Sequence, residues 1–541
     1  MKQTMKLNFY EEASRCLLCE DAPCTRACAT GDPARAIRAI RFDNHKPALR
    51  WVNDCTDEDL ERAEQACIHY DRPIRIREML APSQPPAPSQ PPVGEEDRPL
   101  SNSPRGGEDS ISSGGLSSGN AALPPTGGAG SGAPIGGLGV GLSSLAIDFC
   151  GIPCENPFFL ASSAVCTNYE MVARAFDAGW AGVFYKTICL QDIREVSPRF
   201  DACQHEGRAD FYAFRNMEQL SENPVDVDFD ILRRLKQNYP TKVVVASIMG
   251  QTEEQWIELA KMAEAAGCDA VELNFSCPQM RLAGMGSDVG QNPELVLFYT
   301  AYVKRNVTIP VIPKMTPNIT QINQPATASY FAGADAISAI NTIKSVTMGD
   351  RAAVSGRKTV SGLSGRAVKP IALRHILEMA QNPALNGSHG KKVELSGIGG
   401  IETWRDALEF IQLGCRNVQV CTAVMQYGYR IIDDLVLGLQ SYLAERGLSS
   451  LDALVGEELP NFVTPTDLDR ETIVYPKIDR ERCIGCGRCY VSCMDGGHQA
   501  IAFNPDTRQP RIVGTKCVGC HLCRLVCPTG AIGMTKRINK K

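Results

Sequence analysis

The chain has 541 residues, of which 43% are hydrophobic and 22% charged. At roughly 150 residues per domain this implies several structural units and excludes both a single compact domain and a wholly disordered chain. A net charge of -5, from 56 Lys and Arg against 61 Asp and Glu, has the wrong sign for a nucleic-acid coat. No run of about 18 apolar residues offers a membrane span, and the polar start Met1 to Arg15 lacks the apolar stretch of a secretory signal. A cytoplasmic protein is the default expectation, and in a reducing compartment its 23 cysteines are more readily metal ligands or catalytic groups than disulfides.

Residues 1–80 hold Cys16, Cys19, Cys24 and Cys28, with Cys55 and Cys67 further on. This pattern predicts a small helical iron-sulfur unit, with zinc the alternative on spacing alone. Residues 81–143 turn to Pro, Gly and Ser, with Pro85-Pro86, Gly106-Gly107 and Gly127-Gly128. So little apolar surface cannot offset ordering entropy, so a flexible linker is expected there.

From 144 to 450 a repeated grammar appears, in which an amphipathic stretch ends at a glycine and a β-rich run follows. Ala178-Gly179-Trp180, Ala266-Gly267-Cys268, Ala332-Gly333-Ala334 and Leu413-Gly414-Cys415 are such junctions, since glycine tolerates the left-handed position beyond a helix end. Eight strands are predicted: Pro157 to Ala161, Gly182 to Thr187, Lys242 to Met249, Asp269 to Ser276, Ile309 to Met315, Asp335 to Asn341, Lys392 to Gly397 and Asn417 to Ala423. Helical patterns such as Glu253 to Ala266 and Trp404 to Leu413 separate most of them. Eight βα units fit an α/β TIM barrel, with a doubly wound open sheet as the alternative. The unusual polar residues fall at the C-terminal ends of the strands, where a barrel places its active site. They are Ser162, Lys186, Asn274 to Cys277, Lys314, Asn341-Thr342, Gly397 to Gly400 and Cys421-Thr422.

After a connector at 451–472, residues 473–541 carry Cys483-x-x-Cys486-x-x-Cys489-x-x-x-Cys493 and Cys517-x-x-Cys520-x-x-Cys523-x-x-x-Cys527-Pro528. This is the two-cluster ferredoxin run given twice, in which the fourth cysteine of each run serves the other cluster. One [4Fe-4S] cluster is therefore assigned to Cys483, Cys486, Cys489 and Cys527, and the other to Cys517, Cys520, Cys523 and Cys493. Paired structural zinc sites are the alternative, but they seldom need a closely spaced fourth cysteine followed by proline.

A redox centre in the barrel would use these electrons. Glycine-rich ends of the seventh and eighth strands make a phosphate site in many barrels, and Lys186 and Lys314 could stabilise charge developing on an electron-rich ring. Together they point to flavin mononucleotide; turn-making glycines and solvated lysines are the alternative. Cys277 follows Asn274 and Ser276 and precedes Pro278 and Gly284-Met285-Gly286, a loop that could act as a lid. The other barrel cysteines read as packed small hydrophobes. No histidine accompanies a strand-end motif, which disfavours a Cys-His hydrolase.

Asn274-Phe275-Ser276-Cys277-Pro278, Lys314 to Asn318, Asn341-Thr342, Gly362-Leu363-Ser364-Gly365 and the terminal ferredoxin together resemble the catalytic subunits of bacterial NAD-dependent dihydropyrimidine dehydrogenases. The resemblance runs from about Leu145 to the end. It implies a dihydroorotate-dehydrogenase-type barrel with FMN that reduces uracil or thymine at the 5,6 double bond, in pyrimidine catabolism. By the same resemblance FMN is expected on Ser162, Lys186, Thr187, Lys314, Gly365, Gly399, Gly400, Ile401, Thr422 and Ala423. The pyrimidine is expected on Asn216, Asn274, Ser276, Asn341 and Thr342, and Cys277 as the acid that protonates C5 while hydride reaches C6. The N-terminal unit resembles only in part the start of the family's other half, and one cluster on Cys16, Cys19, Cys24 and Cys67 is the expected set. No strand-Gly-x-Gly-x-x-Gly-helix unit is found, so an FAD- and NAD(H)-binding flavoprotein partner in a hetero-oligomer is implied. Dihydroorotate oxidation on the same barrel and a bare electron-transfer subunit are the competing readings.

Overall fold

The computed structural model describes residues 9–69, 72–80, 144–204, 211–278, 280, 284–348, 359–388 and 390–540; the linker expected at 81–143 lies outside them. The chain forms two bodies, Met1–Leu459 and Pro460–Lys541.

In the first body all eight predicted strands form and close into one barrel. In chain order they are Phe158–Leu160, Gly182–Phe184, Val243–Ile248, Ala270–Asn274, Val311–Lys314, Ala336–Ala339, Glu394–Ile398 and Cys415–Val420. Every pairing is parallel, and Val418 opposite Phe158 joins the last strand to the first, which excludes the open sheet. The strands are buried on both faces, Val243–Ile248 at every residue, as expected where helices cover the outside of a parallel sheet. Local signals punctuate these helices. The Asn168 side chain caps Tyr169–Ala178, which Gly179 ends at φ +110°, and a Thr403–Asp406 capping box starts Trp404–Gln412.

The structure departs from the sequence reading in four places. A hairpin, Ile147–Phe149 with Ile152–Cys154, packs at the N-terminal end of the barrel, where Glu394 Oε2 accepts from Cys150 N at 2.8 Å. A four-stranded sheet of Phe200–Gln204, Phe211–Asn216, Ile343–Ser345 and Ser361–Ser364 is inserted after the second and sixth strands. The eighth strand stops at Val420, and Thr422 and Ala423 open a short helix, Thr422–Tyr427. The first body also extends beyond 450 to Leu459, because Leu451 and Leu454 are buried in the barrel core.

The N-terminal residues have a core of their own, including Ile37, Ile40 and Leu60, yet they are seated on the barrel. Helix Pro33–Arg41 buries Ala36, Ile37, Ala39 and Ile40 and sets Arg35 and Arg38 at helical spacing towards the acidic first turn of Ile431–Glu445. Arg38 Nε lies 2.7 Å from Asp434 Oδ2 and Arg35 Nη2 3.1 Å from Asp433 Oδ2. The sequence carries no sign of this docking, since neither charge cluster names its partner.

In the second body Pro476–Ile478 pairs with Ile532–Met534, and Ile501–Asn504 with Gln509–Ile512. Helices Arg488–Gly496 and Leu522–Leu525 begin one residue before the third cysteine of the two Cys-x-x-Cys-x-x-Cys runs. Among the described residues no helix is long and apolar enough to cross a membrane.

Candidate active site and cluster sites

A cleft of about 960 Å³, open to solvent, gathers residues from the C-terminal ends of the barrel strands. Ser162, Lys186, Thr187, Lys314, Gly365, Gly399, Gly400, Ile401, Thr422 and Ala423 all line it, and so do Asn216, Asn274, Asn341, Thr342 and Cys277. Asn216 arrives on the inserted sheet rather than on a barrel strand.

Ser276 does not line the cleft. It is fully buried, where its hydroxyl donates to Asn274 Oδ1 at 2.8 Å and accepts from Asn341 Nδ2 at 2.9 Å. In this arrangement one hydroxyl sets the direction of two amides. Asn274 Nδ2 in turn donates to Thr187 Oγ1 at 2.8 Å, and Thr187 contacts Ser162 Oγ at 3.0 Å.

Glycines shape the wall. Gly399 and Gly400 adopt φ +130° and +77°, and a Cβ on Gly400 would approach Lys369 N to 2.9 Å and Gly365 O to 3.0 Å. Only glycine meets both constraints. A Cβ on Gly362 would fall 2.3 Å from Thr342 Oγ1, so that glycine makes room for a lining hydroxyl. Gly286, with φ +58°, lies against the Cys277 carbonyl, which accepts from Ser287 N at 2.9 Å. The returning chain expected to act as a lid is thus anchored on the backbone of Cys277; residues 279 and 281–283 of that loop lie outside the described residues.

Both lysines have carboxylate partners that the sequence reading missed. Lys186 Nζ lies 2.9 Å from Glu218 Oε2, which itself lines the cleft. Lys314 Nζ lies 3.4 Å from Glu272 Oε1, and Glu272 also accepts from Ser247 Oγ and Ser338 Oγ at 2.9 and 2.7 Å. A glutamate within the apolar run Ala270–Asn274 was the available signal, because an unpaired charge is not buried there. Gln419, another missed lining residue, gives Nε2 to Ser396 Oγ at 2.8 Å, whereas its Oε1 is buried without a partner. A buried acceptor left unpaired costs about 1–3 kcal/mol, so this wall fits a ligand that brings a donor. Glycine cradle, two lysines and unpaired amide oxygen together fit a flavin mononucleotide.

The cysteines fall into separate sites. Cys483, Cys486, Cys489 and Cys527 line one cavity of the second body, and Cys493, Cys517, Cys520 and Cys523 line another. Burial, with neighbouring Cys489, Cys493 and Cys517 adding to it, pushes the Cys523 thiol up to about 11. Cys16, Cys19, Cys24 and Cys67 line a third cavity, in the N-terminal region. There burial, with Cys16 and Cys67 adding to it, raises Cys24 to about 11. Thiols that repel one another as thiolates around a shared cavity fit a cationic centre. Among the described residues, no three His, Cys, Asp or Glu side chains form a group able to hold a single metal ion. Cys28 stands apart from this set, with its Sγ 3.1 Å from that of Cys55.

Residues 144–443 match the family model for dihydroorotate dehydrogenase. The chain belongs to the dihydroorotate dehydrogenase family. Residues 476–534 match the 4Fe-4S dicluster domain. Within the family the chain is 52% identical over 372 residues to the NAD-dependent dihydropyrimidine dehydrogenase subunit PreA of Escherichia coli strain K12, covering 68% of this chain and 89% of that one. It is 37% identical over 338 residues to the chloroplastic dihydropyrimidine dehydrogenase (NADP(+)) of Arabidopsis thaliana, covering 60% and 79%. Over 317 residues it is 35% identical to the catalytic subunit of dihydroorotate dehydrogenase B (NAD(+)) of Pyrococcus abyssi, covering 58% and 98%.

Proposed function

We propose that the chain is the catalytic subunit of an NAD-dependent dihydropyrimidine dehydrogenase, reducing uracil or thymine to the 5,6-dihydro base. The observation that carries this reading is the convergence of three amides, Asn216, Asn274 and Asn341, with Thr342 and Cys277 on one cleft. An amide offers both donor and acceptor, as the imide edge of a pyrimidine requires. Ser276 holds two of these amides in place, so the pocket pays little ordering entropy on binding.

FMN, when bound, supplies a hydride to C6 of the ring. Ser162, Thr187, Lys186, Lys314 and Gln419 would hold its ring, and Gly365, Gly399, Gly400, Ile401, Thr422 and Ala423 its phosphate arm. Cys277, buried at 6% exposure, would carry the proton delivered to C5, and its anchored backbone keeps the thiol at the cleft. The two ferredoxin clusters, and a third on Cys16, Cys19, Cys24 and Cys67, would exchange single electrons. A partner subunit binding FAD and NAD(H) would connect them to NADH, in keeping with the subunit status in the name of the E. coli relative.

Dihydroorotate is the second candidate substrate, and the cleft's charge argues against it. Its carboxylate calls for a cation. Among the described lining residues the only two cations, Lys186 and Lys314, are already matched by Glu218 and Glu272. The test is anaerobic: dihydrouracil should bleach the flavin absorbance of the purified chain and dihydroorotate should not. The reverse pattern would overturn the proposal, and no bleaching by either would leave an electron-transfer role.

A further inference from the structure

Cys28 and Cys55 take no part in the chemistry assigned above. Both are buried, at 8% and 6% exposure, and their sulfurs lie 3.1 Å apart. Neither lines the cavity shared by Cys16, Cys19, Cys24 and Cys67. Among the described residues no third His, Cys, Asp or Glu joins them in a group able to hold a metal ion. Two thiols in contact, with no third ligand, have one shared chemistry, the disulfide.

Hydrogen bonds fix the backbone around both sulfurs. Cys28 N donates to Thr25 O at 3.1 Å and Cys55 N to Val52 O at 3.0 Å. Between the two segments, Asp32 N donates to Trp51 O at 2.8 Å and Thr30 Oγ1 to Asp54 O at 2.8 Å. A Cβ on Gly31 would collide with Cys55 Sγ, so glycine at this position leaves that sulfur its place beside Cys28. A disulfide bond is about 2.05 Å long, so closure needs the sulfurs to approach by only about 1 Å.

The pair is placed to act on the four-thiol cavity. Helix Pro23–Ala27 carries Cys24 in its first turn and is followed at once by Cys28. Thr56, next to Cys55, caps helix Asp57–Gln65, and Cys67 comes two residues after that helix ends. The two helices pack together. Because Cys28 meets Cys55 while Cys24 and Cys67 line one cavity, they run antiparallel with thiols at both ends. Fixing one end of such a pair restricts the spacing at the other. The bond would also close a loop that contains the docking helix Pro33–Arg41, and closing a loop removes conformational freedom from unfolded forms.

We propose that Cys28 and Cys55 form a redox pair whose disulfide clamps the two helices that present Cys24 and Cys67. The oxidant class is a small-molecule disulfide. The Cys28 thiolate attacks one of its sulfurs, which breaks the S–S bond, forms a mixed disulfide and releases one small thiol. Cys55 then attacks the Cys28 sulfur and releases the second. Two protein thiols thus lose two electrons and two protons to one small disulfide, and a dithiol reductant reverses the exchange. Burial and the contact with Cys28 push the Cys55 thiol up to about 12, so closure is slow at neutral pH and quickens as pH rises. The pair needs neither flavin nor cluster in place, so its fate is separate from that of the pyrimidine reading.

The test equilibrates the full chain anaerobically in glutathione buffers of rising disulfide fraction, traps free thiols with an alkylating agent and maps the peptides by mass spectrometry. A Cys28–Cys55 cross-linked peptide should replace the two alkylated ones as the disulfide fraction rises, and dithiothreitol should restore them. Absence of the cross-link at every ratio overturns the proposal, as does a mixed glutathione disulfide that never resolves. Hydrogen exchange in Pro23–Ala27 and Asp57–Gln65 should slow at least threefold in the oxidised chain. Cys28→Ser and Cys55→Ser, each unable to close the bond, should exchange at one rate under both conditions. A disulfide that leaves exchange in both helices unchanged overturns the clamp, and slowing that persists in the serine variants assigns it to other thiols and overturns the pair.

Discussion

Glu272 Oε1 lies 3.4 Å from Lys314 Nζ, with side-chain exposures of 0% and 3%. Ser247 and Ser338 donate to the same carboxylate. Four consecutive barrel strands, the third to the sixth, thus contribute one side chain each to a single buried polar cluster. The carboxylate balances the ammonium that lines the cleft, so the net charge felt by a bound ring is smaller than the lysine alone would produce.

Glu272→Gln keeps the shape of this cluster and removes its negative charge. The uncompensated ammonium should favour an electron-rich ring and shift the bound flavin's midpoint potential upward by tens of millivolts, where about 30 mV of a two-electron couple is about 1.4 kcal/mol. Glu272→Ala, which breaks the buried pair and leaves a void, should cost about 3–5 kcal/mol of stability. Redox titration of the Gln variant and denaturant unfolding of the Ala variant check the two effects; an unchanged potential would show that the carboxylate acts on packing alone.

Cys277→Ala should retain flavin and clusters and lose about 10²- to 10⁴-fold in turnover, the usual contribution of a positioned general acid. The neighbouring backbone contacts, Ser287 N to Cys277 O and Gly286 against that carbonyl, do not depend on the thiol. Steady-state rates with uracil are the measurement, and near-normal turnover would remove the thiol from the mechanism.

The amides predict an ordered series. Asn341→Ala should weaken pyrimidine binding most, because it removes a lining group and frees the Ser276 hydroxyl. Ser276→Ala should weaken binding less, since it loosens Asn274 and Asn341 without removing either. Equilibrium titration with uracil gives the ranking; a larger effect from Ser276 would mean direct contact with the base.

Cys486→Ala removes one of four thiols around a cluster cavity in the second body. Under the proposed two-component scheme, NADH-linked reduction of uracil should be lost, while chemical reduction of the flavin survives. NADH oxidation by the chain alone at the rate of the complex would contradict the two-component scheme.

Much of this protein was legible from local pattern. Ferredoxin spacing is local, so the two four-thiol sets of the second body follow from counting residues. The barrel was legible because each βα unit repeats the same grammar, and strand ends must converge once the sheet closes. Lys186, Lys314, Asn274, Cys277 and Gly399-Gly400 were visible as polar or glycine residues at the ends of apolar runs.

Pairing between distant segments was not legible. Asn216 reaches the cleft on an inserted sheet whose strands come from two loops about 150 residues apart. The partners of the lysines, Glu218 and Glu272, are 32 and 42 residues away, and a carboxylate in isolation does not specify which cation it meets. The same holds for Arg38 with Asp434, 396 residues apart, and for the seam that sets the N-terminal thiols on the barrel. Sequence by itself determined which candidate groups meet at the cleft and in the thiol-lined cavities, because spacing and residue type govern local turn geometry, strand burial and the reach of closely spaced thiols. Tertiary structure alone decided how those groups are charged and aimed, because electrostatics and hydrogen bonding depend on distance in space, which the closing of the barrel and the docking on its flank establish.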